Sequence, residues 1–264
     1  MKNKFILCVF LFFYFQVNSQ NRVKTSNHNA WFMLFGQLKV NKHWNIGFET
    51  QWRRNDWGSL PQQLLLRTGL NYELNNNISL TAGYCYVKTH PYGQFPVNSV
   101  FHESRIWEQI QFKHQIGKLE QINRIRIEQR FSYLPVLNSD SNYIKGNSVY
   151  TNRLRIMNRF SMPFKGKKIE DKSLYLSVYN EIMIGFGKHI GTNFFDQNRA
   201  YVALGYKIPN IGKLEIGFLE QTLFKNSTLN TSGQIEQKIE NNHTIQVGLT
   251  VALDFTKTSK DYGN

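Results

Sequence analysis

The chain has 264 residues and a formal charge of +14, from 32 Lys and Arg against 18 Asp and Glu. With 41% hydrophobic and 14% aromatic residues it is not a disordered or low-complexity sequence, and two cysteines exclude a disulfide scaffold. A high aromatic content beside a negative mean hydropathy fits a protein that is polar inside and aromatic outside.

Residues 1–19 read as a secretory signal peptide. Lys2 and Lys4 form a positive start, Phe5 to Phe15 is an uncharged apolar run, and Val17-Asn18-Ser19 offers a cleavage site before Gln20. The run is shorter than the ~20 residues a membrane-spanning helix needs. Cys8 lies inside the run rather than behind a small residue at its end, which argues against a lipoprotein anchor. Removing 1–19 takes Lys2 and Lys4 with it, leaving +12 on residues 20–264, with Cys85 as the one cysteine. No linker, internal repeat or composition shift divides 20–264, so a single domain is expected.

Alternation of period two then runs along the chain. Strands are expected near 29–40, 44–54, 62–74, 78–89, 101–115, 119–134, 149–160, 173–186, 197–208, 212–224 and 243–256. In 244–255, Ile245, Val247, Leu249, Val251, Leu253 and Phe255 share one face, opposite Thr244, Gln246, Gly248, Thr250, Ala252 and Asp254. In 63–74, Leu64, Leu66, Leu70, Tyr72 and Leu74 oppose Gln63, Arg67, Gly69, Asn71 and Glu73, with Leu65 and Thr68 as exceptions. Successive strand side chains point to opposite faces, so each segment has one apolar and one polar face. No stretch after the first twenty residues approaches 18 apolar residues, which excludes helical spans.

The connections alternate in length. Those at 41–43, 75–77, 117–118, around Gly166 and at 209–212 are short, whereas 90–100, 135–148 and 225–242 are long. This pattern predicts an all-β fold: an antiparallel transmembrane β-barrel of the outer membrane, with short periplasmic turns and longer outer loops. A soluble lipocalin or sandwich would use shorter strands, ~5–6 residues as a rule. Trp31, Trp44, Trp57, Tyr84, Tyr86, Tyr133, Tyr150, Phe160, Tyr175, Phe224 and Phe255 fall near expected strand ends, where interfacial aromatic girdles lie. Eleven strands can be counted, but bacterial barrels are normally even-numbered. A strand hidden in 20–28 or a false split among the early strands would restore parity. The chain length suits twelve strands, with ten as the alternative.

The polar face carries the chemistry. One expected strand turns Glu103, Arg105, Gln109, Gln111 and Lys113 inward, the next Arg124, Arg126, Glu128 and Arg130, the third Arg153, Arg155 and Arg159. At ~4.8 Å between strands these side chains form an Arg-rich ladder, which Glu181 of the following strand can join. Paired Arg and Glu fill a narrow interior while satisfying each other. The three strands nevertheless place seven Arg against two Glu inward, and surplus positive charge attracts small anions. The overall charge also suits contact with outer-membrane lipids and lipopolysaccharide, and the expected location leaves no nucleic acid to bind. Alternation puts Glu108 on the lipid side, which calls for a bulge near Trp107 or a polar contact.

The run Phe101-His102-Glu103-Ser104-Arg105-Ile106-Trp107-Glu108-Gln109, with Arg124-Ile125-Arg126-Ile127-Glu128-Gln129-Arg130-Phe131, resembles the family called domain of unknown function 2490. So do Leu64–Tyr72 and Gly83-Tyr84 leading to Thr89-His90-Pro91-Tyr92-Gly93. The resemblance implies an outer-membrane β-barrel of Gram-negative bacteria with no established activity, and adds nothing on chemistry. Ser104 departs from the bulkier polar residue expected there.

Catalysis is the rival reading. His102 and Ser104, at i and i+2, share the lipid-side face of one strand, as a lipid A or phospholipid hydrolase would require. No supporting motif follows, so no catalytic residue is assigned. The seven histidines lack metal-ligand spacing and Cys85 alone makes no zinc site, so neither metal nor cofactor is indicated. The sequence reading is therefore an outer-membrane barrel with an Arg/Glu-lined lumen, a narrow anion-preferring pore or a structural barrel.

Overall fold

Period-two sequences satisfy their backbone groups only by pairing, and a sheet that closes on itself leaves no edge unpaired. The computed structural model describes residues 21–191, 194–229, 233 and 235–254; the expected signal peptide and Phe255 lie outside them. The strands are β1 (Asn21–Lys39), β2 (Trp44–Asn55), β3 (Leu60–Glu73), β4 (Ile78–Thr89), β5 (Phe101–Ile116) and β6 (Leu119–Leu137). They continue as β7 (Tyr143–Pro163), β8 (Leu174–Phe186), β9 (Phe195–Ile208), β10 (Gly212–Phe224), β11 (Thr228–Leu229) and β12 (Ile235–Asp254).

Neighbours in sequence pair antiparallel from β1 to β10, and β10 pairs with β12. The ring closes where β1 meets β12 in parallel, from Asn21↔Glu236 to Lys39↔Asp254. The twelve described strands are thus eleven staves and the two-residue β11, which pairs with the start of β12. The odd number of staves is real. Residues 21–28 are strand, as parity suggested, but they prolong β1 instead of adding a stave. A parallel seam satisfies the backbone as an antiparallel one does, so odd closure leaves no orphan ladder.

The connections at 40–43, 74–77, 117–118, 164–173 and 209–211 gather at one end of the barrel. Those at 56–59, 90–100 and 138–142 gather at the other, as do the described residues of 187–194 and 225–234. Two expected long loops are shorter than the sequence suggested. Most of 135–148 is strand, because β6 and β7 run on as a hairpin linked only by 138–142, and β12 begins at Ile235. Strand extensions outside the barrel wall have two wet faces, so the apolar alternation lapses while the backbone pairing continues.

Burial is inverted relative to a soluble domain. Ile127 is 40% exposed beside Glu128 at 0%, and Ile182 is 37% exposed beside Glu181 at 2%. Phe32, Leu66, Ile106, Ile156, Val202, Ile216 and Ile245 also face outward. Two expected girdle aromatics turn inward instead: Trp31 and Tyr175 are buried. Trp31 packs with Met33, Tyr201, Ala203 and Leu219, and opposite it Leu65, Cys85, Val87 and Trp107 form a second apolar cluster. Leu65, an exception to the alternation, is thereby explained. The β5 ladder has no bulge at Trp107; Glu108 faces outward and accepts from Gln129 Nε2 at 3.1 Å. Farther round, outward Asn180 and Asn198 exchange side-chain hydrogen bonds at 3.2 and 3.1 Å, so these polar groups partner each other.

Candidate functional site

Because inward residues on adjacent strands sit at one level, register decides which charges meet. All ten ladder residues, Glu103, Arg105, Arg124, Arg126, Glu128, Arg130, Arg153, Arg155, Arg159 and Glu181, project into the lumen. Glu128 on β6 is the hub. Its Oε2 accepts from Arg153 Nε at 3.0 Å and Nη2 at 2.5 Å, and its Oε1 from Arg155 Nη1 at 2.8 Å. Arg67, Arg105 and Arg126 approach the same carboxylate at 3.7, 3.9 and 4.0 Å. One carboxylate thus serves five guanidiniums from four strands. We call this layer the waist.

Further pairs flank it. Arg155 turns its other edge to Glu181, with Nε at 3.0 Å and Nη2 at 2.8 Å, and Arg124 reaches the same carboxylate at 2.6 Å. Glu103 takes Arg105 and Arg130. Arg153 also donates to Asp196 at 2.8 Å, Arg67 pairs with Glu49, and Arg159 with Glu215, which accepts from Tyr175 at 2.9 Å. The sequence reading did not single out Glu49, Arg53, Arg67, Asp196, Arg199 or Glu215. Five of them lie on the alternating inward face of strands that carry few such charges, so no run announces them, and Asp196 falls outside the alternation, at the bulge opposite Met183 and Ile184.

The added carboxylates reduce the charge imbalance without removing it, and the surplus is localised. Arg126 is held by Gln109, its Nε and Nη2 sharing Oε1 at 3.0 and 2.7 Å, and its guanidinium lies 4.4 Å from the Trp107 ring centre. Arg53 repeats the arrangement beyond the waist. It donates to Gln63 at 2.7 Å and to Gln51, and lies 4.0 Å over Trp31. In both, amide and indole take the place that a carboxylate would fill.

Each faces a cavity. One of about 490 Å³ opens at the short-turn end, lined by Phe35, Phe48, Asn71, Trp107, Gln109 and Arg126 among others. A second, of about 470 Å³, lies at the loop end around Trp31, Arg53, Arg130 and Arg199. A third, of about 310 Å³, lies beside Arg124, Arg159 and Glu215. Arg67 borders all three, and the first and third also share Phe35, Glu49, Gln111, Ile122, Arg124 and Thr250.

The loop-end mouth is narrowed by the chain itself. Tyr92, Phe95 and Val97 of 90–100 line the cavity, and Lys238 Nζ lies 5.2 Å from the Phe95 ring centre. The Tyr92 hydroxyl lies beside Glu240, Gln62 and Asn242; burial first, and the Glu240 charge second, push its pKa far above the usual phenol range. It therefore stays a donor. Gly93 passes against Asn27 with φ +69°, a conformation open to glycine.

His102 and Ser104 form no relay. His102 Nδ1 meets Tyr86 OH at 2.5 Å, and Ser104 Oγ meets Tyr84 OH at 2.8 Å. Two positions along a strand are ~6.7 Å apart, which leaves each with its own tyrosine. Among the described residues no group of three His, Cys, Asp or Glu is placed to hold a metal.

A family model described as "Protein of unknown function (DUF2490)" matches residues 28–233, well over half of the chain. No curated protein and no solved structure matches it.

Proposed function

The chain belongs to the DUF2490 family of proteins of unknown function, and from its geometry we propose that it is an outer-membrane β-barrel whose waisted, positive lumen passes small anions. The observation that carries the membrane reading is the inverted burial, with Glu128 fully buried and Ile127 exposed. An apolar exterior around a charged interior is stable where the surrounding solvent is lipid. The expected signal peptide supports export to that membrane, and the charge of +12 suits a leaflet of anionic lipopolysaccharide. On this reading the loop end faces outward and the short turns face the periplasm.

The lumen supports a narrow conduit rather than a general porin. Open aqueous channels belong to barrels of about 16–18 strands, and here eleven staves enclose the layer around Glu128. An anion entering from either end meets a guanidinium backed by indole and amide, Arg53 on one side and Arg126 on the other. A cation meets the same groups as a barrier. The test is conductance of the refolded protein in a planar bilayer under a salt gradient. Small anion-preferring currents are expected, with the preference reduced in Arg53→Gln. A silent bilayer containing inserted protein would leave a structural barrel and end the conduit reading.

A further inference from the structure

We propose that the outer wall of β2–β5 at the loop end is a binding site for a phosphorylated glycolipid of the surrounding leaflet, whose phosphates sit among Arg54, Lys88 and His102. This rests on the outer-membrane reading for the lipid and its orientation, and holds whether or not the barrel conducts.

Register brings these cations together. An outward row crosses six strands at one level through Trp52, Leu64, Lys88, His102, Tyr133 and Ser148, each paired with the next. Lys88 lies between the buried Val87 and Thr89, and Arg54 between the buried Arg53 and Asn55, so alternation turns both outward. Arg54 stands two residues nearer the loop end than Trp52, with its guanidinium 5.2 Å from that ring centre. It donates to the carbonyl oxygens of Gly58 at 3.0 Å and Ser59 at 2.5 Å, which fix it without cancelling its charge. His90 follows β4, its backbone N–H donating to the Gln62 carbonyl at 2.9 Å. Burial first, then the charges of Lys88, Arg54 and His102, hold the His90 pKa below the usual imidazole range. Lys145 Nζ, 4.0 Å from the Tyr133 ring centre, carries the positive field on to β7.

No carboxylate offsets these charges. Among the described residues Arg54, Lys88 and His102 form no ion pair. The outward positions of β2–β7 hold one carboxylate, Glu108, six residues below His102 and so ~20 Å along the strand. Asp56, the acidic residue nearest to Arg54 in sequence, accepts from Ser59 Oγ at 2.7 Å.

The level is that of a lipid head group. Trp52 lies on the row itself, and Leu66, Tyr84 and Ile106 below it are exposed. The wall thus passes from apolar to cationic across an aromatic band, as a barrel wall does at a bilayer interface. Tyr86 and Tyr84, bonded to His102 and Ser104, add hydroxyl groups at that depth. From β2 to β5 is three strand spacings, ~14 Å, too wide for one phosphodiester. A glycolipid bearing several phosphates and no cation of its own matches both the spread and the sign.

The test inserts the refolded full chain into phosphatidylcholine vesicles containing lipid A or, separately, phosphatidylglycerol at equal charge. The protein is then extracted in neutral detergent, and native mass spectrometry counts the lipid it retains. Retention of lipid A over phosphatidylglycerol is expected, saturating as the lipid A content rises. Lys88→Gln should weaken it about fivefold, and Lys88→Gln with Arg54→Gln roughly thirtyfold, from the contribution of each cation near a charged surface. Lys88 has no ion pair to lose, so its single substitution serves if Arg54→Gln loosens the 56–59 turn. Lys167→Gln, in the 164–173 connection at the other end, should retain lipid A as the parent does. Equal retention of the two anionic lipids overturns the site, as does full retention by Lys88→Gln or a matching loss in Lys167→Gln. A protein that enters no vesicle ends the outer-membrane reading and this one with it. One that enters and emerges without lipid A ends this one alone.

Discussion

Ile127 and Glu128 are adjacent in β6 and face opposite media: Ile127 is 40% exposed on the barrel wall, while Glu128 is fully buried and bonded to Arg153 and Arg155. In water the reverse partition would be the stable one. The pair therefore reports on the solvent outside the barrel as much as on the lumen.

Replacing Ile127 by Arg puts a charge on the outer wall near the middle of β6. In vesicles, Ile127→Arg should cost about 2–4 kcal/mol of unfolding free energy, the range for a cation near a bilayer midplane. Glu108→Leu, on the same face, should be neutral or stabilising. Guanidinium unfolding of vesicle-inserted protein measures both. An Ile127→Arg protein as stable as the parent would mean that water, not lipid, surrounds β6.

Glu128→Gln removes the one carboxylate shared by five guanidiniums. Breaking a buried ion pair from one side typically costs about 3–5 kcal/mol, because the remaining charge stays buried and uncompensated. The expected result is a shift of the unfolding midpoint to lower denaturant with unchanged strand content by circular dichroism. Adding Arg153→Gln should recover part of the loss, since it removes one of the stranded cations. Two single losses that simply add would show that the pair is not coupled.

The sequence made the wall legible because each strand repeats one simple signal, apolar out and polar in, over ten or more residues. It also revealed the Arg ladder, since Arg124, Arg126, Glu128 and Arg130 alternate without interruption. The hub is harder to read. That Arg67 of β3 reaches Glu128 of β6 depends on barrel curvature and register, and β3 carries no run of charge to suggest it. The inward turn of Trp31 is likewise set by neighbours, for its indole N–H donates to Gln62 at 2.7 Å, where a bulge opposite Arg53 and Arg54 adds a residue to β3. The parallel seam has no local signature at all. Residues 21–28 read as polar chain until β12 is placed beside them.

The inturned segment 90–100 should set the size of the loop-end mouth. Tyr92→Phe removes the hydroxyl that the segment places beside Glu240, Gln62 and Asn242. Amide exchange across 92–97 should then rise, by about tenfold or more if one buried bond to a charged partner is lost. Any conductance should increase while its anion preference persists, because Arg53 and Arg126 are untouched. Unchanged exchange would show that Phe95 and Val97, not Tyr92, hold the segment in place.

An odd number of staves places the start of β1 and the end of β12 at opposite ends, which can be checked in two ways. Ser26 and Asn241 are partners across the parallel seam, so Ser26→Cys with Asn241→Cys should form an intramolecular disulfide on mild oxidation. A stave inserted between β1 and β12 would prevent it. On intact cells, Asp140→Cys at the tip of the β6–β7 hairpin and Arg22→Cys at the start of β1 should react with an impermeant maleimide. Asn76→Cys in the β3–β4 turn should react only after the membrane is opened. Cys85, buried in the inward cluster with Leu65 and Trp107, should stay silent throughout. Labelling of Asn76→Cys on sealed cells would invert the barrel, and labelling of Arg22→Cys and Asn76→Cys from the same side would contradict odd closure itself.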